Sequence, residues 1–154
     1  MAKSLIRLAT SVDVHAMRRI EAQAATAAHW SEDEYERIFA GDPPRLALVI
    51  HDTHDDTVQG FLIANRIGPE WELENIAVAA GARRRGLASA LLGHFLDGVK
   101  QQGGESVFLE VRASNAAARA LYAKYGFAVT GLRRNYYQYP GEDAVLYRKV
   151  VGSP

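Results

Sequence analysis

Apolar and polar residues alternate over several short stretches of the chain, which is the period of half-buried β-strands. In the clearest case, Val107, Leu109 and Val111 alternate with Phe108 and Glu110. By this pattern and the neighbouring turn residues, we expect seven strands, near residues 4–9, 46–51, 58–67, 71–78, 105–112, 127–137 and 144–150. A polar turn separates the second strand from the third and predicts a hairpin.

Helical spacing separates some of these strands. Six apolar residues fall on one stripe and predict a long amphipathic helix that ends at Gly103-Gly104: Leu87, Leu91, Leu92, Phe95, Leu96 and Val99. Shorter helices are expected to follow Thr10, with Asp13 three residues later, and Ser31, where Glu34 completes a capping box.

Two further signals define the remaining helix and the end of the second one. Either Ser114 or Asn115 caps a helix that runs to Tyr125, with Gly126 just beyond its end. The Gly-Asp-Pro-Pro run at 41–44 ends the helix that starts near Ser31. Trp30 and Tyr35 occupy the positions of a hydrophobic staple around that helix start.

The order of elements predicts the fold class. A strand and two helices are followed by three strands, a helix, a strand, a helix and two strands. An α/β architecture, with one sheet covered by helices on both faces, accounts for this order. The length of 154 residues predicts a single domain over residues 1–154.

Composition narrows the function classes. Eighteen basic and eighteen acidic residues give zero net charge, which argues against broad nucleic-acid binding. The absence of cysteine excludes disulfides, thiolate metal sites and a cysteine nucleophile. The five histidines show no metal-ligand spacing. No signal peptide or membrane span is visible, so we expect a cytoplasmic protein without a membrane partner.

A basic, glycine-containing loop lies between the fourth strand and the long helix. Its residues read Arg83-Arg84-Arg85-Gly86-Leu87-Ala88. Unpaired N–H groups at a helix start attract anions such as a pyrophosphate, and Gly86 and Ala88 allow close approach to the backbone. Alone, such a loop is more often a solvated turn, and a small nucleic-acid patch is a further reading.

The surrounding residues resemble the GNAT family of acetyl-CoA-dependent N-acetyltransferases. Arg83-x-x-Gly86-x-Ala88 matches the family's pyrophosphate motif, with alanine at the last position. The following segments are similar to the bacterial ribosomal-protein-alanine N-acetyltransferase group within that family: Asn75-Ile76-Ala77-Val78, Leu109-Glu110-Val111-Arg112-Ala113-Ser114-Asn115, Ala120-Leu121-Tyr122, Tyr125-Gly126-Phe127 and Arg133-Arg134-Asn135-Tyr136-Tyr137. The Trp30-Ser31-Glu32 segment also fits that group.

The resemblance implies a GNAT fold, a mixed and mostly antiparallel sheet whose central parallel strands, near 71–78 and 105–112, splay apart. The cosubstrate acetyl-CoA would lie in that wedge, and no metal would be required. By resemblance, its binding residues would be the backbones of Ile76, Ala77 and Val78, the loop residues Arg84, Arg85, Gly86, Leu87, Ala88 and Ser89 with Arg83 at the edge, and Asn115.

The same resemblance implies two catalytic residues. Glu110 is the candidate base, directly or through a water, and Tyr122 the candidate acid that protonates the departing thiolate. A backbone N–H near Val78 is the candidate oxyanion donor. Read without the resemblance, Glu110 could be a sheet carboxylate paired with Arg112 or Arg134, Tyr122 a packed aromatic, and Asn115 only a helix cap.

The acceptor side is predicted from charge and aromatic residues. Glu72 and Glu74 could attract a basic residue or an α-ammonium group, and Tyr136, Tyr137 and Tyr139 could line a peptide groove. Glu74 departs from the group's pattern, which has an apolar residue there, and it could compete with Glu110 as base. The aromatic cluster could equally be ordinary strand residues.

The sequence therefore predicts an acetyltransferase for a protein N-terminal α-amine, by resemblance that of an alanine-initiated ribosomal small-subunit protein. We expect a monomer or weak dimer with no nucleic-acid partner. Three alternatives stay open: a GNAT enzyme for lysine side chains or small amines, a non-catalytic acyl-CoA sensor, and an RNA-associated protein that uses the arginine loop.

Overall fold

A computed structural model describes residues 3–24, 30–41, 45–138 and 141–152. Within these ranges the strands are β1 (Ser4–Leu8), β2 (Arg45–Asp52), β3 (Val58–Ile67), β4 (Glu70–Val78), β5 (Ser106–Arg112), β6 (Ala128–Tyr137) and β7 (Glu142–Val150). The helices are α1 (Val14–Gln23), α2 (Glu32–Ala40), α3 (Leu87–Gln101) and α4 (Ala116–Lys124), with short 3₁₀ turns at Ser11–Asp13 and Ala80–Ala82. The predicted series of strands and helices is confirmed, and most element ends differ by one to four residues.

The strands form one sheet in the order β1-β2-β3-β4-β5-β7-β6. All neighbours are antiparallel except the central pair β4 and β5. Strand β7 lies between β5 and β6, so the C-terminal hairpin extends the sheet beyond the parallel pair. The predicted mixed, mostly antiparallel sheet is confirmed.

Helices cover both faces of the sheet, and each face has its own buried apolar cluster. Met17 and Ile20 of α1 and Tyr35 and Ile38 of α2 pack with Phe61 and other residues of one face. On the other face, the predicted apolar stripe of α3 is buried against a second cluster that also contains Tyr122 of α4. The predicted two-sided arrangement is therefore confirmed.

A β-bulge in β4 changes which residues face each helix layer. Ile63 of β3 pairs with Asn75, but the next residue, Ala64, pairs with Leu73, so Glu74 is the extra residue. Before the bulge, Trp71 and Leu73 belong to the α3 and α4 side, whereas Ala77 beyond it belongs to the α1 and α2 side.

Local capping follows the sequence signals. Ser31 accepts the N–H of Glu34, whose carboxylate accepts the N–H of Ser31, and the rings of Trp30 and Tyr35 lie 5.7 Å apart. Asn115, rather than Ser114, caps α4 by accepting the N–H of Ala118 at 3.1 Å. Thr10 instead precedes the 3₁₀ turn Ser11–Asp13, which leads into α1. α2 ends at Ala40 with Gly41 as its left-handed C-cap, so the helix end predicted at 41–44 is confirmed at Gly41, and residues 42–44 lie outside the described residues.

Candidate active site

The central parallel strands are joined only at one end. Three residue pairs connect β4 with β5, namely Glu70 with Ser106, Trp71 with Val107 and Glu72 with Phe108. Beyond them β4 stays paired with β3 and β5 with β7, so the two strands diverge. A cavity of about 480 Å³ occupies the resulting wedge, and its lining includes Glu72, Glu74, Ile76, Glu110, Asn115, Tyr122, Tyr136 and Tyr137. The splayed pair predicted from the sequence is confirmed.

The backbone of β4 offers polar groups to this wedge. Ala79, which directly follows β4, donates its N–H to the backbone carbonyl of Gln59 in β3 at 2.7 Å. In an antiparallel ladder such pairs alternate, so Ala77 also pairs toward β3, whereas the N–H and C=O groups of Ile76 and Val78 face the wedge. Of the three predicted backbone positions, the outer two can therefore receive a ligand that lies along β4.

The basic loop forms the start of α3. Arg84 and Gly86 have φ values of +65° and +73°, and Gly86 is the N-cap. Ala90 donates to the carbonyl of Gly86, so the N–H groups of residues 87–89 precede the first intrahelical bond and are free to bind an anion. The side chain of Leu87 is buried in the core, which leaves only its backbone for a ligand.

Neighbouring elements hold this loop in place. The guanidinium of Arg83 donates to the carbonyls of Val78 and Gln23 at 3.4 and 3.2 Å, which ties the loop to β4 and α1. The hydroxyl of Tyr125, at the end of α4, donates to the carbonyl of Ser89 at 2.8 Å. The first turn of α3 is thus connected to the helix that carries Tyr122.

Two carboxylates line the wedge, Glu72 from β4 and Glu110 from β5. Glu110 alternates with the buried residues of β5 and therefore lies on the α1 and α2 side of the sheet. Its Oε1 lies 3.4 Å from Nε of Arg133, so the cation beside it is neither of the two expected arginines. Arg112 contacts Glu142 at 3.4 Å instead. Burial, together with the charges of Glu74 and Glu110, raises the pKa of Glu72.

Tyr122 lies on the opposite side of the wedge from Glu110. Its ring is 5 % exposed and packs 5.7 Å from Phe127 and 5.9 Å from Tyr147. Burial raises the pKa of its hydroxyl, so the phenol stays protonated at neutral pH. Asn115, about two helix turns earlier, caps α4 and also lines the cavity. The two catalytic candidates thus reach the same space from different layers.

The aromatic pair on β6 completes the mouth of the cavity. Tyr136 and Tyr137 lie 5.2 Å apart in an edge-to-face arrangement. The charge of Glu110 and a hydrogen bond to it raise the pKa of Tyr136, and burial raises that of Tyr137. The guanidinium of Arg112 lies 4.4 Å from the Tyr137 ring centroid. The third predicted tyrosine, Tyr139, lies outside the described residues.

Glu74 is held by a cation that sequence reasoning missed. Nε and Nη2 of Arg45 lie 2.8 and 3.3 Å from the two carboxylate oxygens of Glu74, and the guanidinium also lies 5.3 Å from the ring of Trp30. Glu74 therefore carries a compensated charge, unlike Glu72, with which no arginine or lysine forms a salt bridge in the described part of the chain.

Trp30, Asn75 and Arg45 are the site residues that the sequence did not single out for this role. Arg45 is 29 positions from Glu74 along the chain, and no local spacing connects them. Trp30 carried a signal as a staple residue and as part of a matching segment, and Asn75 as part of a matching motif, but neither was assigned to the site. The unusual Glu74 was itself the available signal, because a half-buried carboxylate requires a partner.

A scan against protein-family models matches residues 14–127 to the acetyltransferase (GNAT) family. The chain belongs to this family. The match spans the wedge, the arginine loop, α3, β5 and α4, and GNAT enzymes use acetyl-CoA as the acetyl donor. The predicted family, fold class and acyltransferase class are thereby confirmed.

Individual GNAT relatives agree with the predicted group. The chain is 40 % identical over 143 residues to the [ribosomal protein bS18]-alanine N-acetyltransferase of Salmonella typhimurium, covering 92 % of this chain and 93 % of that protein. The crystal structure of the ribosomal-protein-S18-alanine N-acetyltransferase from Escherichia coli superimposes with a TM-score of 0.86 at 35 % identity, covering 99 % of this chain and 96 % of that one.

A more distant GNAT structure shares the fold alone. Arabidopsis thaliana NAA60 in complex with acetyl-CoA superimposes with a TM-score of 0.81 at 17 % identity, covering 96 % of this chain and 98 % of that one. The described residues contain no group of three His, Asp or Glu side chains placed to hold a metal ion. They also contain no helix long and apolar enough to cross a membrane.

Proposed function

We propose that this protein transfers acetyl from acetyl-CoA to the N-terminal α-amine of a protein that begins with alanine, in particular a ribosomal small-subunit protein. The observation that carries the proposal is the wedge cavity, which Glu110 reaches from one side of the sheet and Tyr122 from the other. The relatives named as bS18-alanine N-acetyltransferases support the choice of acceptor.

The cosubstrate supplies the thioester whose acetyl group is transferred. In this proposal the outward N–H and C=O groups of Ile76 and Val78 hold its extended arm as an added strand would. The N–H groups of residues 87–89 and the arginines of the loop bind its pyrophosphate, and Asn115 contacts it from α4. A backbone N–H near Val78 stabilises the negative charge that develops on the carbonyl oxygen.

The acceptor amine enters on the Glu110 side. Glu72 attracts the α-ammonium group, and Glu110 accepts its proton directly or through one water. An α-amine has a pKa of about 7.7–8.0, against about 10.4 for a lysine side chain, so a carboxylate suffices to deprotonate it near neutral pH. This difference favours the α-amine over lysine as the acceptor in this site.

Tyr122 completes the proton transfer on the other side of the wedge. Its hydroxyl keeps its proton until the thiolate leaves, because burial disfavours the phenolate. Donation yields the free thiol and leaves a phenolate on Tyr122, which takes up the second proton of the acetylated nitrogen. Glu110 then releases the first proton to solvent. In this proposal Arg133 and the hydroxyl of Tyr136 keep the Glu110 carboxylate in place between turnovers.

Acceptor choice follows from the size and charge of the cavity mouth. Trp30, Tyr136 and Tyr137 line the cavity together with Glu72, and in this proposal they bound the space that the small N-terminal side chain and the following peptide occupy. We place the reaction in the cytoplasm and assign acetyl-CoA as the sole cosubstrate, without a metal.

One assay decides between this function and its rivals. The protein is incubated with acetyl-CoA and an alanine-initiated peptide, the same peptide with a blocked N-terminus and a lysine, or a polyamine. Mass spectrometry then locates the acetyl group, and we expect it only on the free N-terminus. Modification of lysine or polyamine alone would contradict the proposal, and cosubstrate binding without turnover would favour a sensor. RNA retention at physiological salt, with no turnover, would favour the remaining alternative.

A further inference from the structure

A buried carboxylate on α1 lies outside the proposed chemistry. Glu21 is 5 % exposed, and both of its oxygens are hydrogen-bonded. Oε1 accepts the backbone N–H of Trp30 at 2.7 Å, and Oε2 accepts the hydroxyl of Tyr35 and the side-chain amide of Asn75 at 3.4 Å. Because a buried charge is costly unless it is paired in this way, Glu21 has one stable orientation.

The groups that Glu21 holds belong to the wall of the wedge. Trp30 and Asn75 both line the cavity, Trp30 from the segment before α2 and Asn75 from β4. Asn75 directly follows the bulge residue Glu74. Glu21 therefore connects Trp30 and Asn75, two parts of the cavity wall that are far apart in the sequence.

The same two parts of the cavity wall are connected a second time. The Arg45 guanidinium lies over the ring of Trp30 and pairs with the carboxylate of Glu74. Contacts thus run from Glu21 to Trp30, to Arg45, to Glu74, and through the chain to Asn75 and back to Glu21. We call these five residues the acceptor ring.

We propose that Glu21 is a positioning residue for the acceptor peptide, which sets the place of Trp30 and of the β4 bulge through the acceptor ring. This inference rests on the proposed function, because it assumes that the amine enters on the Glu110 side. Glu21 touches no reacting atom and acts through Trp30 and Asn75. Its loss should impair use of the peptide and spare use of acetyl-CoA.

Another buried carboxylate of the same region provides a matched control. Asp13 immediately precedes α1, is 6 % exposed, pairs with Arg7 at 2.8 Å and accepts the N–H of Thr10 at 2.8 Å. It does not line the wedge cavity. An Asp13→Asn variant therefore reports the general effect of neutralising a buried, hydrogen-bonded carboxylate near this helix.

The test measures steady-state constants and the exposure of Trp30. Glu21→Gln places an amide donor against the donor of Asn75, so we expect the KM for an alanine-initiated peptide to rise about tenfold. The KM for acetyl-CoA should stay within about twofold.

The second reading is the quenching of tryptophan fluorescence by acrylamide, which should be stronger in Glu21→Gln than in the parent protein because Trp30 becomes more accessible. The other tryptophan, Trp71, is 6 % exposed and adds a constant background. Asp13→Asn should lower Tm and change neither reading.

Three outcomes would overturn the inference: an unchanged peptide KM and quenching in Glu21→Gln, an equal rise of both KM values, or the same peptide effect in Asp13→Asn. If Glu21→Gln does not fold, Tyr35→Phe, which removes one donor and keeps the ring packing, decides by the same readings. A parent protein that acetylates only lysine or polyamine would contradict the proposed function, and the quenching comparison would then judge the inference by itself.

Discussion

Arg45 and Glu74 form a two-point ion pair at the edge of the wedge, with 2.8 Å between Nε and Oε1 and 3.3 Å between Nη2 and Oε2. Their side chains are 18 % and 14 % exposed. The pair joins the first residue of β2 to the bulge of β4, across the intervening strand β3. It also gives Glu74 a fixed cation, which argues against its acting as a free base, a role that the sequence left open.

Replacing one partner of this pair should destabilise the protein more than replacing both. Arg45→Met leaves the Glu74 carboxylate half-buried without its cation, at a cost of about 2 kcal/mol in the free energy of unfolding. The double variant Arg45→Met, Glu74→Met should recover most of that loss. Urea denaturation of both single variants, the double variant and Arg18→Met, which breaks the exposed pair with Glu32, completes the comparison. Additive effects would mean that the pair is not coupled.

Glu110→Gln should reduce kcat by about a hundredfold or more, because an amide cannot accept the proton of the amine. The KM for acetyl-CoA should change little, since the cosubstrate contacts lie on β4, α3 and Asn115. Glu105→Gln, at an exposed position just before the same strand, is the control. Equal losses of turnover and cosubstrate affinity would indicate a structural role instead.

The pH profile of kcat/KM should fall on its acidic side at a pH above that at which an ordinary glutamate titrates, and Glu72 should be the cause. Because burial and two neighbouring carboxylates raise its pKa, Glu72 takes up a proton at a higher pH than an ordinary glutamate as the pH falls, and it then no longer attracts an ammonium group. The kcat/KM for the peptide should fall in that range. In Glu72→Gln it should be low throughout and lack this acidic fall, and an unaltered profile would refute the assignment.

The same residue should weaken the fold while it is ionised. A carboxyl whose folded pKa is raised contributes its stability below the unfolded pKa and loses it as pH rises through the folded pKa. Glu72→Gln should therefore have a higher Tm than the parent at neutral pH, and the difference should shrink in acid. A lower Tm at neutral pH would contradict the raised pKa.

Tyr122→Phe should lower kcat by about a hundredfold, since it removes only the proton donor and keeps the aromatic packing with Phe127 and Tyr147. Its Tm should stay close to that of the parent. Tyr147→Phe is the control, because it removes a hydroxyl that accepts from Arg119 at 3.0 Å in the same cluster. Full activity of Tyr122→Phe would leave the phenol with a packing role alone.

Gly86→Ala should weaken acetyl-CoA binding at least about tenfold, the equivalent of about 1.4 kcal/mol. Its φ of +73° disfavours a side chain, and a methyl group would crowd the pyrophosphate. Gly103, at the other end of α3, has φ of +77° and equally open space around its Cα. Gly103→Ala should therefore lower Tm similarly, and calorimetric titration should show parental cosubstrate affinity. Equal affinities of both variants would move the pyrophosphate elsewhere.

The order of strands and helices, the caps at Ser31 and the loop before α3 were all predictable from the sequence. Each depends on contacts between residues at most a few positions apart, or on a period of two or 3.6 that the chain repeats locally. The splayed strand pair, Glu110 and Tyr122 came from a resemblance that spans most of the chain, and the two residues stay predictions as catalytic groups.

The sequence by itself thus determined the elements and the family, and it predicted some of the residues that line the wedge. Only the tertiary structure decided how the acidic residues are compensated, because Arg45 reaches Glu74 across a strand, Arg133 reaches Glu110 from a separate hairpin, and Glu72 is left with a raised pKa. It also decided that a buried Glu21 joins Trp30 to Asn75. Charge compensation and burial depend on distances between elements remote in the chain, which no local pattern of residues encodes.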